Sequence, residues 1–207
     1  MNIGKNYIEN FKKVYLDRIK NSEKLELVMK TVCSASKEDL DELLKKFPDV
    51  PSDLIEILNI IDGTYRRKYG EYKIGMYLFG SLEGLPHYLC STIEMLLEVD
   101  RKWIKECIDW GIECGNFVDL KITKDYENLK WLNFSKCINN GGSSQFYIDF
   151  SPSDKGKYGQ IVAYVHDPDK FIVIADSFSE FLQKIIDGKF RFIEDDIIKI
   201  YKIKKEN

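Results

Sequence analysis

The feature that most constrains the fold is a series of short apolar segments that begins near residue 115 and ends at residue 175. Turn residues separate the segments, and the connections are too short to hold crossover helices. Consecutive strands joined in this way pair antiparallel, so the series predicts an antiparallel sheet. The predicted strands are 117–122, 129–134, 145–150, 160–166 and 171–175.

The connections between these segments have the composition of turns. They contain Asn139-Asn-Gly-Gly142, Ser151-Pro-Ser-Asp154 with Gly156 and Gly159, and Asp167-Pro-Asp169. Glycine supplies positive φ, proline fixes φ, and Asn or Asp side chains bond to nearby backbone amides.

Helical spacing of apolar residues dominates the part of the chain before the strands. Ser36, Ser91 and Ser177 each stand three residues before an acid, which is the arrangement of a helix capping box. A single strand at 72–79 follows the first helices, after an exposed basic connection at 65–72. The order of helices, then strands, then a helix predicts an α+β domain with an antiparallel sheet backed by helices. The predicted helices are 6–19, 36–47, 51–61, 91–111, 177–188 and 195–201.

Composition and charge exclude several classes of protein. The net charge is −3, so we expect no direct binding to nucleic acid, which would need a clustered basic excess. The mildly acidic balance allows an acidic face that attracts a basic partner. The five cysteines are odd in number and form no CxxC pair, which favours a reducing compartment. No apolar segment is long enough to span a bilayer, and we expect a cytoplasmic protein with no membrane contact.

Residues at catalytic spacing are absent from the sequence. The chain has two histidines, no GxSxG elbow and no phosphate-binding glycine loop followed by lysine. The best cluster for a metal is His166, Asp167 and Asp169, with Asp149 from a neighbouring strand. Adjacent residues on a strand point to opposite faces, however, so His166 and Asp167 make a poor ligand pair. We therefore predict no catalytic residue, metal or cofactor, and a metal-dependent hydrolase is the least favoured hypothesis.

Two segments are candidates for contact with a partner. Asp149 lies in an aromatic strand, where it either caps the turn that begins at Ser151 or organises a binding surface; the capping role is favoured. The basic segment with Arg66, Arg67 and Tyr69 is the other candidate. His166 completes the set of candidate contact residues.

The order of several motifs resembles the SUKH superfamily, and more narrowly its branch of fungal cell-wall-assembly regulators and small bacterial proteins. The resemblance covers residues 36–188. Segment 85–124 is longer than in that pattern, and an insertion there could cover or replace the family's binding surface. The motifs are Val50-Pro-Ser-Asp-Leu-Ile-Glu-Ile-Leu-Asn59 with Asp62-Gly63, Trp131-Leu-Asn-Phe134, Asn140-Gly-Gly142, Phe146-Tyr-Ile-Asp-Phe150, Gly159-Gln-Ile-Val162 and Ser177-Phe-Ser-Glu-Phe-Leu182.

The resemblance implies a curved antiparallel sheet packed by helices, with the N-terminal helices first, and no known catalytic residues. It divides the chain into an N-terminal helical extension at 1–30, one SUKH-like domain at 31–190 and a C-terminal tail at 191–207. Many bacterial relatives resemble immunity proteins that neutralise toxins. The leading hypothesis is thus a monomer or weak dimer that blocks the active site of a cognate toxin, such as a nuclease. The alternative is a regulatory scaffold with an endogenous partner.

Overall fold

The computed structural model describes residues 3–19, 22–80, 84–113, 118–137, 144–166, 169–194 and 196–203. Within these residues the chain forms seven helices and eight strands, and the helices come first. The helices are α1 (Ile3–Ile19), α2 (Ser22–Thr31), α3 (Lys37–Lys46), α4 (Ser52–Leu58), α5 (Thr92–Leu96), α6 (Arg101–Glu113) and α7 (Phe178–Asp187). The strands are β1 (Arg67–Tyr69), β2 (Tyr72–Gly80), β3 (Pro86–Leu89), β4 (Trp131–Lys136), β5 (Gln145–Asp149), β6 (Gln160–Val165), β7 (Lys170–Ala175) and β8 (Ile198–Lys202).

The strands form one open antiparallel sheet, which confirms the predicted α+β class. Strands β1 to β7 neighbour one another in chain order, and β8 pairs with β2. Residues 72–74 of β2 pair with both β1 and β8, so these two strands lie on opposite edges of β2. The second half of β2 pairs with β3.

One face of the sheet is covered along its whole length by the principal core. Helices α1, α4 and α7 pack there, and Tyr7, Phe11 and Tyr15 of α1 are fully buried. The helix predicted as an N-terminal extension is thus part of the principal core. Asp53 at the start of α4 fixes the N-terminus of α1, because the Asp53 Oδ1 accepts hydrogen bonds from the amides of Ile3 at 2.9 Å and Gly4 at 3.2 Å.

Among the described residues, the cover over the second face of the sheet extends only over β4 to β7. There α6 and the segment at 118–129 bury a separate apolar cluster, with Ile104 and Ile108 of α6 against Trp131, Tyr147 and Phe171. The long segment 85–124 therefore supplies α6, which covers this part of the sheet.

The predicted helix starts at Ser36, Ser91 and Ser177 are confirmed. Each serine side chain accepts a hydrogen bond from the amide three residues on. At Ser91 the capping box is complete, because the Glu94 carboxylate also accepts from the Ser91 amide at 2.9 Å.

Four other predictions are wrong. Residues 198–202 form strand β8 instead of the predicted final helix, because all five residues pair with β2. The long helix at 91–111 is divided into α5 and α6. Within the described part of 117–122, Val118 makes only an isolated bridge with Phe171. The connection at 65–72 contains strand β1, whose Tyr69 is buried.

Some predictions fall outside the described residues. These are the turn at 139–142, Phe117, Asp167 with Pro168, Asp195 and the residues after 203.

Substitution of Asp53 tests how far α1 depends on its cap. We expect Asp53→Ala to lower the free energy of unfolding by about 2 kcal/mol, because two amides of α1 lose their acceptor. Urea unfolding followed by circular dichroism measures this change. Asp17→Ala on the exposed side of α1 is the matched control, and an equal effect of both substitutions would contradict the capping role.

His87 gives a second test, based on pH. Its ring is fully buried and stacked on Phe146 at 3.9 Å, and its Nε2 has no hydrogen-bond partner among the described residues. Burial lowers the pKa of His87 from 6.5 to about 4, while the Leu85 carbonyl acts in the opposite direction. The unfolded chain therefore takes up a proton that the folded chain excludes over this range. Stability from neutral His87 is complete above pH 6.5 and is lost as pH falls to about 4.

We expect this loss to be about 3 kcal/mol in the wild type and absent in His87→Phe, which keeps an aromatic ring against Phe146. Urea unfolding at several pH values between 7 and 4 measures it. His166→Asn is the control and should keep the loss. The same pH profile in the wild type and in His87→Phe would refute the assignment.

Candidate partner-binding surface

The uncovered half of the second sheet face is formed around β2. Ile74 and Met76 of this strand are buried in the principal core. Successive side chains of a strand point to opposite faces, so Lys73, Gly75 and Tyr77 lie on the face away from that core, although the half-buried Tyr77 also packs against it. Beyond the edge of α6 they form the centre of an open surface.

Neighbouring strands extend this surface on both sides. Lys68 of β1 and Tyr201 of β8 are the cross-strand partners of Lys73, and Lys199 of β8 is the partner of Gly75. A side chain at Gly75 would lie 3.9 Å from the Arg66 amide nitrogen and 4.0 Å from the Lys199 Cβ. Because Gly75 has no side chain, the surface between Arg66 and Lys199 stays flat.

Three tyrosines pack together at the other end of the surface. The ring centroid of Tyr88 lies 4.2 Å from that of Tyr77 and 4.8 Å from that of Tyr65. The Arg66 guanidinium lies 5.8 Å from the Tyr65 ring. Burial raises the pKa of Tyr88, and its hydrogen bond with Tyr77 adds to the effect, so the hydroxyl stays protonated. We call the whole surface the open face; it comprises Tyr65, Arg66, Lys68, Lys73, Gly75, Tyr77, Tyr88, Lys199 and Tyr201.

The open face is basic although the chain as a whole is acidic. Arg66, Lys68, Lys73 and Lys199 are exposed, and in the described part of the chain none has a carboxylate within ion-pair distance. The margins of the open face carry ion pairs between Lys136 and Glu94 and between Lys202 and Glu71. The acidic face that the net charge allows is not found at this position.

Two concave regions accompany the sheet. A groove of about 840 Å³ adjoins the open face and shares Tyr77 and Lys199 with it; Leu85 and Phe192 add apolar walls. A second cleft of about 380 Å³ lies at the far end of β4 and β5, with Trp131 among its lining residues. The first groove therefore extends the open face, whereas the second is separate from it.

The basic segment proposed from the sequence is divided between the two faces. Arg66 is exposed on the open face. Arg67 turns to the other side, where its guanidinium pairs with the buried carboxylate of Asp62. The hydroxyl of the buried Tyr69 donates to the Asp62 carbonyl at 2.8 Å and to the Gly63 carbonyl at 2.7 Å. Arg67 and Tyr69 thus attach β1 to the end of α4.

Asp149 is fully buried at the end of β5. Its Oδ1 accepts from the Ser151 amide at 2.8 Å, which confirms the favoured capping role, and its Oδ2 accepts from Gln160 Nε2 at 2.9 Å. Burial raises the pKa of Asp149, although the hydrogen bonds from Gln160 and Ser151 oppose the shift. The buried carboxylate thus fixes the conformation of the loop between β5 and β6 through these hydrogen bonds.

His166 follows β6 at the opposite end of the sheet from Asp149. Its Nδ1 lies 3.0 Å from Asp169 and 3.2 Å from the Tyr164 hydroxyl. Asp149 pairs with Gln160 at the start of β6, so about 20 Å of strand separates it from His166. Of the proposed metal cluster, His166 and Asp169 are close together, Asp149 lies apart from them, and Asp167 is outside the described residues. No group of three potential ligands occurs among the described residues.

Sequence reasoning missed most of the open face, including Lys73, Lys199 and Tyr201. A signal was present in the alternation of apolar and polar residues along 72–78 and 198–202. A period of two is typical of a strand with one buried face, and it predicts that these polar residues share the other face. The pairing of β8 with β2 needs contacts between residues more than 120 positions apart, and no local pattern carries that information.

An open antiparallel sheet with helices on one face and a partly exposed second face defines the class to which this protein belongs: a small α+β domain that offers a surface instead of a deep pocket. A family model identifies it further. Residues 34–184 match the SMI1 / KNR4 family (SUKH-1), so the chain belongs to that family.

No curated protein matches the chain. None of the helices in the described residues has the length and apolar character needed to cross a bilayer.

The different roles of two adjacent arginines can be measured. We expect Arg67→Ala to lower the free energy of unfolding by about 2 kcal/mol, because the buried Asp62 carboxylate loses its cation. Arg66→Ala should change it by less than about 0.5 kcal/mol, as is usual for an exposed side chain. Chemical unfolding of both variants measures the difference. A larger loss in Arg66→Ala would show that the two side chains are assigned to the wrong faces.

Proposed function

We propose that this chain is an immunity-type protein that binds a cognate toxin in the cytoplasm and neutralises it. The observation that carries the proposal is the open face, a tyrosine-rich and charged surface on a domain of a family that includes toxin immunity proteins and fungal regulators. Tyrosine and arginine are the residue types that contribute most to binding at protein interfaces.

The dimensions of the open face suit such a contact. The open-face residues of β2 run from Lys73 to Tyr77, so the surface is about 15 Å long at this strand, and the strands beside it make it about 10 Å wide. With the adjoining groove this area forms the centre of an interface that buries about 800 Å² on each partner. A partner seated there would have its own active site covered by the domain or its loops.

Arg66 is the sequence-derived contact residue that we retain for direct binding. Arg67, Tyr69 and Asp149 support the proposal indirectly, since each holds a segment in place beneath the surface. His166 lies outside the open face. A nuclease as the toxin stays a prediction from the resemblance.

A regulatory scaffold with an endogenous partner would use the same kind of surface. The two functions differ in what the partner does when this chain is absent. An immunity protein is needed only in cells that contain the toxin, whereas the loss of a scaffold disturbs cells without any toxin.

Co-expression with the product of the neighbouring toxin gene tests the proposal. We expect the wild type to restore growth to cells that express the toxin and to co-purify with it as a stable complex. A variant with Arg66→Glu and Tyr201→Ala should lose both properties while it keeps the circular dichroism spectrum of the wild type. Asp17→Ala serves as the folded control and should rescue growth. Failure of the wild type to bind the toxin or rescue growth refutes the proposed function.

A further inference from the structure

The charge of the open face indicates the chemistry of its partner. We infer that the open face binds an acidic protein surface, whose carboxylates pair with Arg66, Lys68, Lys73 and Lys199. That the partner is a toxin rests on the proposed function, whereas its acidic character follows from the charge of the open face alone.

The four cations are close enough to act together. Lys68 and Lys73 are direct cross-strand partners, and Lys199 lies one strand over and two residues along. Strand and residue spacings place them within about 10 Å of one another. Their positive potentials add, because no carboxylate of the described chain lies within ion-pair distance of them to offset the charge.

The pair of Lys68 and Lys73 is unfavourable for folding. Like charges directly opposite each other on neighbouring strands destabilise a sheet, whereas an opposite pair would stabilise it. An external set of carboxylates removes this repulsion when it binds. The folded sheet is therefore more stable when it binds an acidic partner than when it is alone.

The tyrosines favour a protein over a nucleic acid. Binding of single-stranded nucleic acid uses exposed aromatic ring faces on which bases stack. Here the rings of Tyr65, Tyr77 and Tyr88 pack against one another, and Arg66 lies over the Tyr65 ring. Tyr201 is the one open-face tyrosine with an exposed side chain, so the surface offers a single ring for stacking and not a series of them. Two of the three rings are only half-buried, and a tyrosine hydroxyl can donate a hydrogen bond to a carboxylate or a backbone carbonyl.

The groove beside the cations completes the site. Leu85, Phe192 and Tyr77 give it apolar walls that fit an apolar side chain of the partner. Glu194 and Asp196 also line the groove, so the partner's carboxylates pair with the cations of the open face and not inside the groove. An apolar anchor surrounded by polar contacts is the usual arrangement at the centre of a protein interface.

Binding to simple probes tests the inference without knowledge of the partner. The full-length protein is titrated against fluorescent poly-L-glutamate of twenty residues and against a dT20 oligonucleotide, with fluorescence anisotropy as the readout. We expect poly-L-glutamate to bind more tightly than dT20 at equal ionic strength, and its affinity to fall as salt rises.

Charge reversal locates the binding. The variant Lys68→Glu/Lys73→Glu/Lys199→Glu should weaken poly-L-glutamate binding about tenfold or more. The matched control is Lys13→Glu/Lys45→Glu/Lys124→Glu, which makes the same change of net charge at exposed lysines outside the open face. It should bind as the wild type does. Circular dichroism confirms that both variants are folded.

A single substitution separates binding from stability. Lys73→Glu places a carboxylate opposite Lys68, so we expect the Tm to rise by about 1–3 °C while poly-L-glutamate binding weakens. A merely structural role for Lys73 would not give these opposite changes. A lower Tm with unchanged binding would overturn the argument.

Other outcomes also decide the matter. Tighter binding of dT20 through the same lysines would replace the protein partner with a nucleic acid. An equal loss in the control variant, or no loss in the open-face variant, would refute the site. A wild type that dimerises by light scattering, with a monomeric open-face variant, would make a second copy the occupant.

The two proposals fail separately. If poly-L-glutamate binding needs the three lysines but no toxin is neutralised, the acidic-partner inference stands and the immunity function falls. If the toxin is neutralised equally well by the open-face variant, the immunity function stands and this inference falls.

Discussion

The uneven burial of the sheet is the constraint on which the rest of the structure depends. One face is covered along its whole length by the principal core, to which α1, α4 and α7 contribute, whereas within the described residues the other is covered by α6 and the segment at 118–129 only over β4 to β7. Strands β5 and β6 have apolar residues on both faces, so both faces must be buried. Ile148 is buried in the principal core and Tyr147 in the cluster under α6. Strand β2 has one apolar face, so its other face meets solvent without cost and carries polar side chains.

Segments outside the family match help to build the open face. The match ends at residue 184, yet Lys199 and Tyr201 of β8 form one side of the surface. The N-terminal helix supports this strand, because the Arg18 guanidinium donates to the Phe190 carbonyl at 2.8 Å in the segment that leads into β8. Tyr7 of α1 also packs on Phe190, with ring centroids 5.0 Å apart. The two ends of the chain thus stabilise each other, and together they give this member a surface that the family match does not define.

Local chemistry in the sequence predicted most of the fold. The serine caps at Ser36, Ser91 and Ser177 mark helix starts because each satisfies an amide within its own turn. The turns between strands predicted antiparallel order in the same way. The failures concern contacts between distant segments. Tyr69 is buried because its hydroxyl reaches the Asp62 and Gly63 carbonyls, and residues 198–202 are extended because they pair with β2. For a short segment such as 195–201 local preference does not decide between helix and strand, so tertiary pairing does.

The candidate site was harder to predict than the fold, for a physical reason that the buried carboxylates illustrate. Asp53, Asp62 and Asp149 stand out in the sequence as acids among apolar residues, yet each serves the backbone: one caps α1, one accepts from the Thr92 amide at 2.7 Å, and one holds the turn at Ser151. A buried charge must be paired, so its partners are already inside the domain. Exposed groups without internal partners therefore determine which partner binds. Which groups are exposed depends on strand register, and the sequence specifies the register only through the whole fold.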